Sequence, residues 1–81
     1  MINMEVKTKL SGPEVCMRLK SFFGEGGLGL KITEETPSCF SFEGGGGYVN
    51  ATVCKEENQT KIIFLSMEWE IQVRNFAASL P

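Results

Sequence analysis

The glycines between Gly24 and Gly29 match the pattern G-x-G-x-x-G, which in dinucleotide-binding proteins cradles phosphate groups. That chemistry needs a strand before the glycines and a helix after them, so that the pyrophosphate lies at the helix N-terminus. Here the hydrophobic spacing predicts the reverse order, with a helix first and a strand second. An anion would then meet the negative end of the helix dipole. We therefore expect this segment to end a helix and to enter a strand tightly, rather than to bind a cofactor.

Side chains that commonly catalyse reactions or bind metal ions are scarce. The chain has no histidine, which is the commonest metal ligand and titrates nearest to neutral pH. Cys16, Cys39 and Cys54 are far apart in the sequence and form no C-x-x-C pair, so we expect free thiols in a reducing compartment. No acids, bases or nucleophiles recur at a spacing typical of a catalytic site. We expect neither an enzyme nor a bound cofactor or metal.

A run of four glycines, Gly44 to Gly47, exceeds what a two-residue hairpin turn requires. A β-bulge, a mobile loop tip or the close approach of a partner's backbone would each account for it. The predicted topology places this run at one end of the molecule, together with Gly24–Gly29 and the start of the last helix. Backbone amides there could bind an anion, but the negative charges of four nearby glutamates would repel it. These are Glu25, Glu43, Glu68 and Glu70. A hairpin loop is the better interpretation.

A second set of glutamates is expected at the opposite end of the sheet. It comprises Glu34, Glu35, Glu56 and Glu57. Carboxylate oxygens can hold a calcium-like ion, but the spacing of a known calcium loop is missing. We interpret these residues as solvated charges in turns.

The composition is that of one small globular domain. The chain has 81 residues, of which 42% are hydrophobic, and a net charge of −2. It is too apolar for a disordered chain, and no apolar run approaches the roughly 20 residues that span a bilayer. The first ten residues alternate polar and apolar side chains, unlike a secretory signal. We expect residues 1–81 to form a single cytoplasmic domain.

Hydrophobic periodicity predicts seven elements in the order β-α-β-β-β-β-α. The predicted strands are Ile2–Leu10, Leu28–Thr33, Cys39–Glu43, Tyr48–Cys54 and Thr60–Leu65. Ser11 is the predicted N-cap of the first helix, whose apolar side carries Val15, Leu19, Phe22 and Phe23. Ser66 is the predicted cap of the last helix, whose apolar stripe is Trp69, Val73, Phe76, Ala77 and Leu80.

Short turns between the last four strands indicate an antiparallel meander, and the first helix carries the chain to the far edge of the sheet. The predicted fold is α+β, with a five-stranded sheet in the order 1-5-4-3-2 and both helices on one face. This order resembles the half-repeat of the TATA-box-binding protein fold and, in miniature, the helix-grip ligand-binding proteins. The resemblance is one of topology and covers the whole chain.

That resemblance implies two functions. A TATA-box-like face would bind nucleic acid through the lysines that the topology places on it, Lys7, Lys9, Lys31 and Lys61. The isoelectric point of about 5.1 and the lack of a stacking pair of aromatic residues argue against nucleic acid. A helix-grip domain would instead bind a small ligand between the last helix and the sheet. There the bulky side chains, among them Trp69 and Phe64, are sufficient to fill the interior.

The leading functional hypothesis concerns the face of the sheet that the helices leave uncovered, here called the open face. The strand Thr60–Leu65 is apolar on both sides, so burying Ile62 and Phe64 under the helices leaves Ile63 and Leu65 on the open face. Tyr48 joins them from the neighbouring strand. Clustered exposed apolar side chains typically mark a contact surface. We expect a protein partner or a weak homodimer at Tyr48, Ile63 and Leu65. The alternatives are that sheet curvature shelters these side chains or that the register is shifted by one residue.

Overall fold

The computed structural model describes every residue from Met1 to Pro81. Seven elements follow in the predicted order. They are β1 (Ile2–Thr8), α1 (Gly12–Phe23), β2 (Lys31–Glu35), β3 (Cys39–Gly44), β4 (Gly47–Lys55), β5 (Thr60–Met67) and α2 (Glu70–Ser79). The five strands form one antiparallel sheet in the order β1-β5-β4-β3-β2. The predicted α+β class, element order and strand order are therefore confirmed.

The core lies between the sheet and the helices, and Phe23 of α1 is at its centre. The Phe23 ring centroid lies 5.5 Å from that of Phe42 in β3 and 6.3 Å from that of Phe64 in β5. It also lies 5.5 Å from the ring of Phe76 in α2. Alternate residues of β4 and β5 are buried beneath the helices, including Val49, Ala51, Ile62 and Phe64. Burying one side of each strand is what the period-two alternation predicts.

Helix α1 begins and ends as its sequence predicts. The Ser11 side chain accepts a hydrogen bond from the Glu14 amide at 3.3 Å. At the other end the Gly24 amide donates to the Lys20 carbonyl, and the Leu28 amide donates to the Phe22 carbonyl. A Cβ atom on Gly27 would stand 2.3 Å from the Phe22 oxygen, so only glycine fits there. The glycine-rich segment thus closes the helix and turns the chain toward β2.

Strand β2 differs from its predicted range, Leu28–Thr33. Leu28 and Gly29 direct their amides back to the end of α1, which delays the strand until Lys31. The strand then continues through Glu34 and Glu35, which were predicted to lie in a turn. The register against β3 shifts between Ile32 and Glu34, so Thr33 is an extra residue in a β-bulge. Because of this bulge, Glu34 pairs with Ser41, while Glu35 pairs with Phe40 of the core.

The predicted helix cap at Ser66 is wrong. Ser66 lies inside β5, is fully buried, and donates a hydrogen bond from its hydroxyl to the Tyr48 carbonyl at 3.1 Å. The chain leaves the sheet two residues later, at Glu68, whose φ of 72° lies in the left-handed region. Helix α2 starts at Glu70 with Trp69 at the N-cap position and no side-chain cap. A serine that satisfies a neighbouring strand's carbonyl is not available to cap a helix.

Candidate interaction surface on the open sheet face

The open face lies opposite the helices, and its centre is formed by alternate residues of β4 and β5. The register places Asn50 beside Leu65 and Thr52 beside Ile63. Along β5 the side chains of Ile62, Phe64 and Ser66 are buried, whereas those of Ile63 and Leu65 are half-buried. The alternative of a register shifted by one residue is therefore wrong. The structure brings the three predicted surface residues, Tyr48, Ile63 and Leu65, onto one face.

Met67 belongs to the same surface, although the sequence reasoning missed it. It is the last residue of β5, lies opposite Tyr48, and keeps 37% of its surface exposed. The alternation Ile63, Leu65, Met67 was the signal that could have found it. Interpreting Ser66 as a helix cap ended the strand too early and hid that alternation. We call Tyr48, Ile63, Leu65 and Met67 the apolar stripe.

Polar side chains border the apolar stripe on both sides. On β1, Asn3 lies opposite Leu65 and Glu5 lies opposite Ile63. On β4, Asn50 and Thr52 occupy the corresponding positions. An apolar centre with a polar rim is the usual composition of a protein–protein interface.

The lysines expected on the open face are partly neutralised. Lys61 lies 3.6 Å from Glu56 and 4.0 Å from Glu5, and Lys7 lies 3.6 Å from Glu56. Lys31 pairs in register with Glu43 across β2 and β3. Lys9 lies beyond the end of β1 and lines a groove beside α1. With its lysines matched by glutamates, this face offers little positive charge to a phosphate backbone.

A shallow polar groove of about 1030 Å³ adjoins the stripe near Tyr48. Within it the Ser41 hydroxyl donates to the Glu34 carboxylate at 3.4 Å, and the Thr33 hydroxyl donates to the Ser41 carbonyl at 3.3 Å. The bulge at Thr33 creates this arrangement, because it turns Glu34 toward the open face. The groove extends the polar rim of the stripe toward β2.

The four-glycine run forms the β3–β4 hairpin, and the hairpin packs against the protein itself. Gly45 and Gly46 make a two-residue turn with φ angles of 59° and 81°, both with the sign of a type I′ turn. A Cβ atom on Gly44 would meet the Leu30 side chain at 2.7 Å, and one on Gly47 would meet the Met67 carbonyl oxygen. Gly45 and Gly46 thus adopt positive φ angles, and Gly44 and Gly47 allow other backbone and side-chain groups to come close. Those groups belong to this chain and not to a partner. They confirm that the hairpin, the Gly24–Gly29 segment and the start of α2 share one end of the molecule.

The glutamates at the other end of the sheet do not form one cluster. Glu35 pairs with Lys20 of α1 at 2.9 Å, while Glu34 bonds to Ser41 on the open face. Glu56 contacts Lys7 and Lys61. No three carboxylates or thiols in the chain are close enough together to hold a metal ion.

All three cysteines are free and half-buried. The Cys16 thiol donates a long hydrogen bond to the Pro37 carbonyl at 3.6 Å. Burial raises the pKa of the Cys16 thiol, while the nearby Lys20 lowers it and Glu35 raises it further. A thiol with a raised pKa is mostly protonated at neutral pH and therefore weakly nucleophilic.

The space between α2 and the sheet, where a helix-grip protein would bind its ligand, is filled. Phe76 of α2 packs against Phe64 with ring centroids 5.9 Å apart and against Phe22 at 5.4 Å. A groove of about 820 Å³ lies elsewhere, between the start of α1 and the nearby end of the sheet. Leu10, Pro37 and Lys20 are among the residues that line it. Those residues are far apart in sequence, so no sequence motif could have indicated this groove.

Comparison of the chain with protein-family models, with curated proteins and with solved structures gives no match. Neither helix has the length and apolar character needed to cross a membrane.

Proposed function

We propose that this chain is a small protein-interaction module that contacts other protein through its open sheet face. A second copy of the chain is the first partner to consider, in a weak homodimer. The observation that carries the proposal is the apolar stripe of Tyr48, Ile63, Leu65 and Met67, on the face that neither helix covers. Partly exposed apolar groups clustered in this way gain free energy when another surface covers them.

The energetics favour a weak contact. Full burial of an isoleucine or leucine side chain contributes about 1.5–3 kcal/mol, and Ile63 and Leu65 are already half-buried. Only part of that free energy remains available to a partner. Association costs several kcal/mol in lost translational and rotational freedom and in side-chain ordering. A stripe of four residues therefore supports transient rather than permanent binding.

The likeness of the element order to the TATA-box-binding half-repeat and to the helix-grip proteins suggests two alternative functions, nucleic-acid binding and small-ligand binding. That likeness concerns fold, and fold does not determine function. The neutralised lysines disfavour nucleic acid, and the filled interior beside Phe76 disfavours a helix-grip ligand. Measured binding of nucleic acid, or of a small ligand between α2 and the sheet, would favour that function over protein interaction.

The experiment that tests the proposal compares wild-type protein with Ile63→Lys. A lysine at this half-exposed position keeps its ammonium in water in the free monomer, but a covering surface would have to bury the charge. Ser21→Lys, on the exposed side of α1, is the matched control for added charge. We expect Ile63→Lys to raise the dissociation constant of the open-face contact, and Ser21→Lys to leave that constant unchanged. If Ile63→Lys unfolds the monomer instead, Ile63 is part of the core and the surface does not exist.

A further inference from the structure

The strand β1 is a sheet edge with one unpaired side. Only β5 pairs with it, over seven residues from Ile2 to Thr8 in a regular register. The other edge strand, β2, has five residues and carries the bulge at Thr33. Short edge strands and bulges are common devices that prevent one sheet from pairing with another. Because β1 has neither, it is the edge that can accept a further strand.

Helix α2 lies along β1 but leaves its apolar side chains partly uncovered. One end of the helix is joined to the strand by Glu70, 3.3 Å from the Met1 amine. The other end is joined by the Thr8 hydroxyl, which donates to the Pro81 carbonyl at 3.0 Å. The core-facing side chains of β1 nevertheless remain half-exposed. These are Ile2, Met4 and Val6.

We propose that a second copy of the chain pairs antiparallel with β1 about a two-fold axis at Val6. The two sheets then form one continuous sheet, with the helices of both copies on the same side. In this register Val6 lies opposite Val6 of the second copy, and Glu5 lies opposite Lys7 of the second copy. The two-fold axis makes the Glu5–Lys7 pair twice. Opposite charges in directly opposed positions stabilise a strand pair, and like charges destabilise it.

The charges select this register over its neighbours. Centring the axis on Glu5 or on Lys7 would place that residue opposite its own copy, a like-charge pair. Centring it on Met4 would place Glu5 opposite Asn3 and leave no charge pair. Registers centred between two residues are excluded, because they would oppose side chains that point to different faces of the sheet.

The helices are compatible with the same pairing. With α2 above β1 and β5, the two copies of α2 would lie about two strand spacings apart, or roughly 10 Å, which is a normal distance between packed helices. Glu70, Arg74 and Ala77 share one side of α2 by their spacing. Since Glu70 contacts Met1 of the neighbouring edge, that side faces the second copy. The small side chain of Ala77 lies on it and allows close approach.

The β1 edge and the open face are different surfaces, so the two contacts can form independently. A two-fold axis perpendicular to the sheet keeps both open faces on the same side, so the two apolar stripes become parts of one larger surface. A chain that makes both contacts assembles as a dimer of dimers.

The test uses charge reversal in a Leu65→Lys background, which removes the open-face contact and places the new lysine opposite Asn3 rather than Glu5. Glu5→Lys and Lys7→Glu each turn both cross-pairs into like-charge pairs, so each variant should dimerise about ten-fold more weakly than the parent. Mixing the two variants restores two opposite-charge pairs, so the mixture should form a heterodimer about as tightly as the parent homodimer. Lys55→Glu, at the exposed end of β4, is the control for reversing one charge. Sedimentation and native mass spectrometry measure these dissociation constants.

The double variant Glu5→Lys/Lys7→Glu separates contacts between copies from contacts within one copy. It breaks the pairs of Glu5 with Lys61 and of Lys7 with Glu56, but it restores the pairs between copies. We expect it to dimerise like the parent. A parent that is monomeric at millimolar concentration, a dimer insensitive to both single reversals, or a mixture that fails to form the heterodimer would each overturn the inference. None of these results bears on the open face, which the comparison of wild-type protein with Ile63→Lys tests separately.

Discussion

The indole N–H of Trp69 donates a hydrogen bond to the carbonyl oxygen of Gly44 at 2.9 Å, joining the start of α2 to the β3–β4 hairpin. The Trp69 ring is half-buried and packs against the core from its edge. This contact explains why a helix without a side-chain cap nevertheless starts at a fixed place. The bond also couples the hairpin next to the open face to the helix layer on the other side of the sheet.

Replacing Trp69 should therefore cost stability in two separable steps. Trp69→Phe keeps most of the ring but removes the donor, and we expect a loss of about 1 kcal/mol in the free energy of unfolding. Trp69→Ala also removes the packing and should cost about 3 kcal/mol, a large part of the stability of so small a domain. Urea unfolding followed by circular dichroism measures both. Equal stability of Trp69→Phe and wild type would show that the hydrogen bond contributes nothing.

The glycine turn provides a matched pair of substitutions. Gly45 and Gly46 both have positive φ, but a Cβ atom on Gly45 would stand 3.0 Å from the Trp69 ring, whereas one on Gly46 would meet nothing within 4 Å. Gly46→Ala should lose only the backbone preference, about 1–2 kcal/mol. Gly45→Ala should lose more, because the Trp69 ring must also shift. Thermal unfolding of the two variants side by side checks this order. The reverse order would mean that the hairpin does not rest on Trp69.

Glu70 should make the stability depend on acid pH. The hydrogen bond from its own backbone N–H is the largest effect and lowers the pKa of Glu70, partial loss of hydration raises it, and the Met1 amine lowers it further. A carboxyl whose pKa is lowered by folding contributes its full stabilisation above the ordinary pKa of about 4.3. That stabilisation is lost as the pH falls through the lower, folded pKa. Glu70→Gln should lack this part of the acid dependence.

Carboxyl-resolved NMR titration measures the pKa of Glu70 directly. Acetylation of the Met1 amine is a useful control, because it removes the ion pair but leaves the backbone hydrogen bond. Acetylation should raise the pKa of Glu70 only part of the way toward its ordinary value. A pKa at or above the ordinary value in the unmodified protein would contradict the assignment.

The order of elements could be predicted from the sequence because each strand alternates and each helix has a 3.6-residue stripe. The fifth strand illustrates both the strength and the limit of that pattern. Its alternation correctly placed Ile63 and Leu65 on the open face. Its end was misplaced, because Ser66 has the side chain of a helix cap, and only the tertiary contact with the Tyr48 carbonyl decides its role.

Strand β2 shows why some boundaries could not be predicted. Leu28, Leu30 and Ile32 alternate as a strand does, but the amides of Leu28 and Gly29 bond to the end of α1. The bulge at Thr33 depends on pairing with β3, which no local pattern of β2 residues encodes. The bulge puts Glu34 on the open face and Glu35 on the helix side, the reverse of what uninterrupted alternation from Ile32 would give. Competition between local pattern and long-range hydrogen bonds therefore decides these positions.

The measurement that tests the central claim most directly is a dilution series followed by residue-resolved NMR. Recording amide and methyl signals from millimolar concentration downward shows which residues contact another molecule. If the open face makes the contact, the signals of Tyr48, Ile63, Leu65 and Met67 should shift together with concentration. In Ile63→Lys the shifts of Tyr48, Leu65 and Met67 should disappear while the fold is retained. Stripe signals that stay fixed up to millimolar concentration in the wild type would contradict the proposed self-contact at the open face.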